Sequence, residues 1–222
     1  LNLKIIHTKD GSSTLYSPTF NEHYHSVFGA INESKHVFIE AGFNFLNLSS
    51  IKIFEIGFGT GLNALLTYIE SAKKEVTVDY SAIELYPVTQ DVIQQLNYTQ
   101  SLSEEIKETF DKLHKVSWNK KIEISNHFHL TKIKADFNDY LFTEKYNLIF
   151  FDAFAPEKQP ALWSHQIFAK IFEAMDNQGV LTTYSSKGLI KQNLRNAGFQ
   201  LERLPGPEGK RHMLRAVKKI NV

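Results

Sequence analysis

The sequence predicts an α/β protein: a mostly parallel, doubly wound sheet with helices on both faces, a closing antiparallel hairpin and a small N-terminal element. Three observations carry that expectation. From Ile51 onward, short apolar runs of buried-strand type alternate with stretches of helical periodicity. A glycine-rich turn, Gly57–Gly61, joins the first such run to the first of those helices. The C-terminal FQLER–LPGPEGK–RHMLRAVKK reads as two strands around a Pro/Gly loop. With 222 residues, 42% of them hydrophobic, the chain has material for one sizeable core.

In order along the chain, Lys4–His7 and Thr14–Ser17 flank Asp10-Gly11, a dipeptide that favours a hairpin. A helical stretch is expected over Glu33–Leu48. IKIFEI (51–56) is the first buried strand, after which Leu62, Leu65, Leu66 and Ile69 fall on one helix face. VTVDYSAIE (76–84) is the next strand, and Val88–Trp118 is polar and mainly helical. IEISNHFHLTKIKAD (122–136) alternates well enough for one or two strands, and YNLIFFDAF (146–154) is a strongly buried one. The helix over Ser164–Asp176 carries Ile167, Phe168, Ile171, Phe172 and Met175 on one stripe. Gly179 introduces VLTTYSS, and the helix Lys187–Ala197 stops at Gly198, a residue suited to a left-handed cap. No repeat or linker divides the chain. Residues 51–222 are therefore expected as one compact domain, with 1–50 as a hairpin/helix element.

Composition excludes several chemistries. The sequence has no cysteine, so disulfides, thiolate metal sites, iron–sulfur clusters and a thiol nucleophile are ruled out for it. No apolar run is long enough for a membrane span, and the start lacks a signal-peptide-like stretch, so a cytoplasmic protein without membrane contact is expected. Charge is unevenly spread. From Lys187 to Val222, nine Lys or Arg stand against Glu202 and Glu208, a balance of +7; the preceding 186 residues carry 16 basic and 22 acidic side chains, a balance of −6. Such asymmetry suits a polyanionic partner, or else a solvated helix face with a basic tail.

The sharpest motif is FEIGFGTGLNALL. Glycines at 57, 59 and 61 let the backbone turn tightly and approach a ligand, with helix-terminal N–H groups facing it. The spacing is GxGxG, and Leu62 stands where a dinucleotide-binding loop would have its third glycine. No Gly-Lys-Ser/Thr follows, which excludes a Walker loop. Glu84 ends the next strand, where a carboxylate can accept both hydroxyls of a ribose. Glu55, two residues before Gly57, suits a cation and repels a pyrophosphate. Ribose with positive charge in place of phosphate points to S-adenosylmethionine, and Asp136 is positioned to take its adenine amino group. Taken singly, Glu84 and Asp136 also fit solvated strand-end carboxylates.

FFDAFAPEKQPALW is the second motif. Asp152 directly follows an apolar strand, at the end where open parallel sheets bind ligands. Pro156 and Pro160 stiffen the loop, while Phe154 and Trp163 offer apolar or stacking surfaces. A carboxylate beside a methyl donor can hold an amine and draw off its proton. The bland reading is a loop-capping aspartate.

FEIGFGTGLNALL, FDAFAP, the TYSSKG–helix–AGF run and the terminal GKRHML together resemble the MnmC-type tRNA methyltransferase family. LYSPTFNEHYHSVFGAINESKHVFIEAGF resembles that family's opening motif more loosely, with Asn21–Ser26 departing from an Asp-Asp-Val-Tyr-Phe-Ser-like run. The resemblance covers nearly the whole chain. It implies a Rossmann-like class I methyltransferase that converts the aminomethyl group of a wobble uridine to methylaminomethyl. It further implies a cofactor set of Glu55, Gly57, Gly59, Thr60, Gly61, Asn63, Glu84, Asp136 and Phe137, with Asp152 as catalytic aspartate. The substrate side is expected at Phe154, Trp163, Lys187, Lys210 and Arg211, together with Tyr184, which ends a central strand and fits either the site or a half-buried core position. On the resemblance, Lys187, Lys191, Arg195, Lys210, Arg211 and Arg215 are the contacts for a tRNA anticodon stem-loop. No metal or flavin is implied. The family's fused flavin oxidase has no room here, so a stand-alone enzyme is expected, supplied with its aminomethyl precursor by a separate oxidase or another enzyme.

Two rival readings are a polyamine-type aminopropyltransferase (or small-amine methyltransferase) and a non-catalytic RNA-binding module. His23/His25 and His127/His129 have HxH spacing but no third ligand, and are read as polar-face histidines. Tyr24 and Glu33 fit pocket lining and ordinary packing equally.

Overall fold

The computed structural model describes residues 2–219, so the last three residues of the expected domain lie outside it. Strands β1 (Lys4–His7), β2 (Ser13–Ser17) and β3 (Glu22–His23) form a small antiparallel sheet. Helix α1 (Ala30–Ser34) runs into a π-helical turn over Lys35–Glu40 and a 3-10 turn over Phe43–Phe45. The expected helix at Glu33–Leu48 is thus three short helical pieces that begin earlier.

The main sheet follows. Strand β4 (Ser50–Ile56), helix α2 (Leu62–Lys74) and strand β5 (Thr77–Glu84) make the first crossover. Two helices, α3 (Gln90–Ile93) and α4 (Glu104–Lys115), lead to β6 (Lys121–Ser125) and β7 (Phe128–Lys134). Then come β8 (Tyr146–Phe151), α5 (His165–Glu173), β9 (Met175–Thr183), α6 (Gly188–Asn196), β10 (Gln200–Pro205) and β11 (His212–Val217). The sheet order is β10-β11-β9-β8-β4-β5-β7-β6. Strands β9, β8, β4, β5 and β7 run parallel; β6, β10 and β11 supply antiparallel edges.

Side-chain alternation sorts these strands between two apolar layers. Ile51 and Ile53 of β4, with Leu148 and Phe150 of β8, pack with α2 residues Leu62 and Leu65. Phe54, Ile56, Ile149 and Phe151 face the opposite layer, with Phe168 and Ile171 of α5 and Leu194 of α6. Residues 55 and 152 therefore belong to the α2 face, which decides what they meet. Leu15, Val37, Phe38 and Phe43 of the N-terminal element join the α2-side cluster. Asn97 ties that element down, accepting from Ser13 N (2.7 Å) and Oγ (2.9 Å) and donating to Gly11 O (2.8 Å).

One further expectation needs correcting, and one open alternative is resolved. Met175 lies in β9, not on the α5 stripe. Helix α5 stops at Glu173 because Tyr146 N takes the Ala174 carbonyl (3.0 Å), drawing the chain into the sheet four residues before Gly179. Residues 122–136 form two strands with an irregular register between Glu123 and Ser125.

Candidate active site

The chain order reverses between β4 and β8, and there a cavity of about 900 Å³ opens at the carboxyl ends of the parallel strands. Open α/β sheets bind ligands at this kind of switch point. Register makes the floor: Ile56 pairs with Phe151, and Asp152 N donates to Ile56 O (3.0 Å), so Gly57 and Asp152 leave the sheet side by side. Gly57 has φ +94°, and a Cβ there would lie 2.7 Å from the Asp152 carbonyl oxygen. Only glycine tolerates both the conformation and the contact.

Two backbone donors fix Glu84 at the cavity wall. Gly59 N donates to its Oε2 (3.0 Å) and Tyr86 N to its Oε1 (2.8 Å). Burial raises its pKa above the usual carboxylate value, and those N–H groups oppose the rise. Thr60 also lines the cavity, its hydroxyl taking a bond from Tyr98 Oη (3.2 Å). Gly61 caps α2 and turns away: a Cβ there would meet the His114 imidazole at 2.8 Å, so this glycine serves packing against α4 and lies outside the lining.

Asn63, in the first turn of α2, joins two carboxylates. Its Nδ2 donates to Glu55 Oε1 and to Asp152 Oδ2, both at 2.9 Å. Asp152 opens on the cavity, and burial pushes its pKa up to about 7. The Glu33 charge adds to that rise, while the Asn63 bond and the Lys210 ammonium oppose it. Glu55 is only 1% exposed and does not line the cavity. It shares the face of Ile51 and Ile53, so α2 covers it. Burial and the nearby Asp152 hold its pKa well above the carboxylate range, against the Asn63 bond.

Asp136 and Phe137 line the far side, past β7. Asp136 Oδ1 accepts from Asn138 N and Nδ2, both 2.8 Å. On the near side, Phe154 and Tyr184 line the cavity, and Tyr184 Oη donates to Ala153 O (2.9 Å). Trp163 does not reach it. The ring is 2% exposed, and its Nε1 donates to Phe154 O (2.8 Å), so it braces the Asp152 loop from behind.

The basic residues divide. Lys187 and Arg211 are exposed at the cavity rim, Lys187 beside Glu157. Lys210 lines the cavity but is paired with the buried Glu33 and lies 4.0 Å from the Tyr184 ring centre. Arg215 is committed elsewhere. It holds Glu202 through Nε (2.9 Å) and Nη2 (2.5 Å) and stacks 3.6 Å over Phe45, which makes it part of the packing.

Several cavity residues carry no site signal in the sequence, Phe20, His25 and Tyr86 among them. Phe20 lies 4.8 Å from Phe154 and 5.9 Å from Tyr86 between ring centres, an aromatic contact across the cavity mouth. His25, one of the histidines set aside, also lines the cavity; burial lowers its pKa to about 4. Phe20 and Tyr86 sit in turns, where no periodicity marks a face. Tyr24 and Glu33 both line the cavity. Among the described residues no group of three or more His, Asp or Glu is placed to hold a metal, and no helix is long and apolar enough to cross a membrane.

Residues 93–219 match a family model described as S-adenosyl-L-methionine-dependent methyltransferase. A relative from Leptospira borgpetersenii, named tRNA 5-methylaminomethyl-2-thiouridine biosynthesis bifunctional protein MnmC, is 31% identical over 90% of this chain and 33% of its own length. The chain thus spans about a third of such curated relatives. The crystal structure of MNMC2 from Aquifex aeolicus superposes with a TM-score of 0.81 at 26% identity, covering all of this chain and 72% of that one. Spermidine synthase from Thermotoga maritima shares the fold (TM-score 0.57, 13% identity, 95% of this chain and 70% of that one).

Proposed function

Because the chain belongs to the S-adenosyl-L-methionine-dependent methyltransferases, we propose that it methylates the primary amine of 5-aminomethyl-(2-thio)uridine at the wobble position of tRNA. The product is then 5-methylaminomethyl-(2-thio)uridine. The observation that carries this reading is Asp152, a carboxylate poised near neutrality in the same cavity as the glycine turn and Glu84. The name borne by the Leptospira relative supports the choice of substrate.

The cradle suits the cofactor. Each Glu84 oxygen accepts one backbone N–H, leaving a lone pair apiece for the two ribose hydroxyls. Asp136 keeps Oδ2 for an adenine amino group while Oδ1 holds the Asn138 turn, and Phe137 supplies an apolar wall. Gly57, Gly59 and Thr60 let the backbone come close. When bound, the cofactor supplies an electrophilic methyl group.

The rest is work for the protein. An alkylammonium has no lone pair until it loses a proton. Asp152, titrating near 7, is about half ionised at neutral pH and can both hold the cation and accept that proton. Glu33 adds negative charge to the same wall. Phe154 and Tyr184 bound the space beside Asp152 and orient a base. Lys187 and Arg211 at the rim take phosphates of an anticodon stem-loop, with the other exposed cations of the C-terminal region around them. On this reading the protein acts on tRNA in the cytoplasm, after the reaction that installs the aminomethyl group.

The test is transfer of labelled methyl from S-adenosylmethionine to bulk tRNA from cells lacking the activity, followed by nucleoside analysis. Label in methylaminomethyl-(thio)uridine is expected. Cofactor binding without any label in tRNA would overturn the substrate assignment.

A further inference from the structure

We propose that Asn63 and Glu55 form a positioning pair that aims Asp152, with Glu55 anchoring the Asn63 amide instead of binding cofactor. This rests on the reading of Asp152 as the base. The amide Nδ2 carries two hydrogens, and the geometry uses both: one goes to Glu55 Oε1, the other to Asp152 Oδ2, each at 2.9 Å. A primary amide is planar, so fixing one N–H sets the direction of the other. Asn63 is 3% exposed and Glu55 1%, so water does not compete for the bond between them, and only the Asp152 end of the arrangement opens on the cavity.

The three residues come from α2, β4 and β8, and Nδ2 spans the two strands between which the chain order reverses. Around Asp152 stand Glu33 from α1, Lys210 from the β10–β11 loop, Tyr184 after β9, Tyr80 from β5 and Glu55 from β4. Among the described residues, Asn63 alone gives the Asp152 carboxylate a hydrogen bond. Oδ2 is thereby engaged and Oδ1 left to meet the substrate. Glu55 Oε2 and Asn63 Oδ1 are buried without partners, so the pair is tied together through Nδ2 alone. Loosening Glu55 therefore frees Asn63 to turn.

A like-charge role for Glu55 predicts the opposite sign, and this makes the proposal testable. The probe is the Asp152 carboxyl carbon in free protein labelled with carbon-13 aspartate, assigned by its absence from Asp152→Asn. Asn63→Ala should raise the Asp152 titration midpoint by about one pH unit, the size of one hydrogen bond to a charged group. Glu55→Ala should raise it as well, because Asn63 loses its anchor. Glu55→Gln keeps an acceptor for Nδ2 and should leave the midpoint within a few tenths of a unit. A fall in either Glu55 variant, or no change in Asn63→Ala, would overturn the proposal. Glu55→Gln decides the matter even if Glu55→Ala fails to fold. The measurement needs no substrate: absence of methyl transfer to tRNA would sink the functional reading while these shifts still stood or fell on their own.

Discussion

Asp152→Asn keeps an acceptor for Asn63 Nδ2 and removes a carboxyl that titrates near neutrality, so it should affect turnover and stability in opposite directions. Burial, with help from Glu33, moves Asp152 from an ordinary value of 3.8 up to about 7. Between those values the folded protein holds a proton that the unfolded chain has released. Stability therefore falls as pH rises from about 4 to about 7. A rise of roughly three units corresponds to at most about 4 kcal/mol. Asp152 opens on the cavity, and solvent there reduces the cost to about 2 kcal/mol. The variant escapes it: at pH 8 its Tm should exceed that of the parent by about 4–8 °C, and the gain should vanish as pH approaches 4. Turnover on tRNA should drop roughly 10²–10⁴-fold, the usual worth of a positioned base. Affinity for S-adenosylmethionine should stay within a few-fold, since Glu84 and the glycine turn are untouched. Scanning calorimetry from pH 4 to 8 and single-turnover methyl transfer read the two effects. A stability gain equal at both ends of that range, or a rate loss under tenfold, would refute the assignment of Asp152 as a buried base.

Three further outcomes follow from the geometry. Glu84→Ala should weaken S-adenosylmethionine binding at least tenfold by calorimetry while changing the maximal rate much less, because it removes charge-assisted bonds and leaves Gly59 N without its acceptor. Gly57→Ala forces φ +94° on a Cβ lying 2.7 Å from a carbonyl oxygen; urea denaturation should register a loss of about 2–4 kcal/mol, along with lost cofactor binding. Arg211→Ala should lower the slope of log affinity for tRNA against log salt by about one. Arg215→Ala should leave that slope alone and cost about 1 kcal/mol of stability, because it packs on Phe45 and Glu202. Equal salt slopes for the two arginine variants would discard the β11 end of the rim as a docking surface.

What the sequence carried well was whatever depends on periodicity along one segment. The strand–helix alternation from Ile51, the hairpin at the C-terminus and the placement of Asp152 at a strand end all follow from local patterns that the sheet preserves. What it carried poorly was partnership between segments. Lys210 and Arg215 look alike in a basic tail, yet one meets Glu33 and the other Glu202, and only the fold brings those acids near. Trp163 follows the Asp152 loop closely but is buried beneath it, because its indole N–H finds the Phe154 carbonyl. The place of Glu55 is legible too: strict alternation sets residue 55 on the face of Ile51 and Ile53, under the helix that Leu62, Leu65 and Leu66 define. Phe20 and Tyr86 gave no signal, since turn residues have no face until the turn is placed.

The same sheet edge makes two kinds of carboxylate, and the difference lies in the count and type of donors. Glu84 accepts two backbone N–H groups that belong to the loops on either side of it, so it is locked in place and its charge is supported. Asp152 has a single amide donor, and a neighbouring acid works against its ionisation. A holder needs a fixed charge, whereas a base needs a proton affinity close to the working pH. Adding a second donor to Asp152 would strengthen its position and, on the proposed reading, weaken it as a base. The glycine at 57 belongs to this argument too: it lets the turn pass within contact of the Asp152 backbone carbonyl without setting a side chain beside the carboxylate.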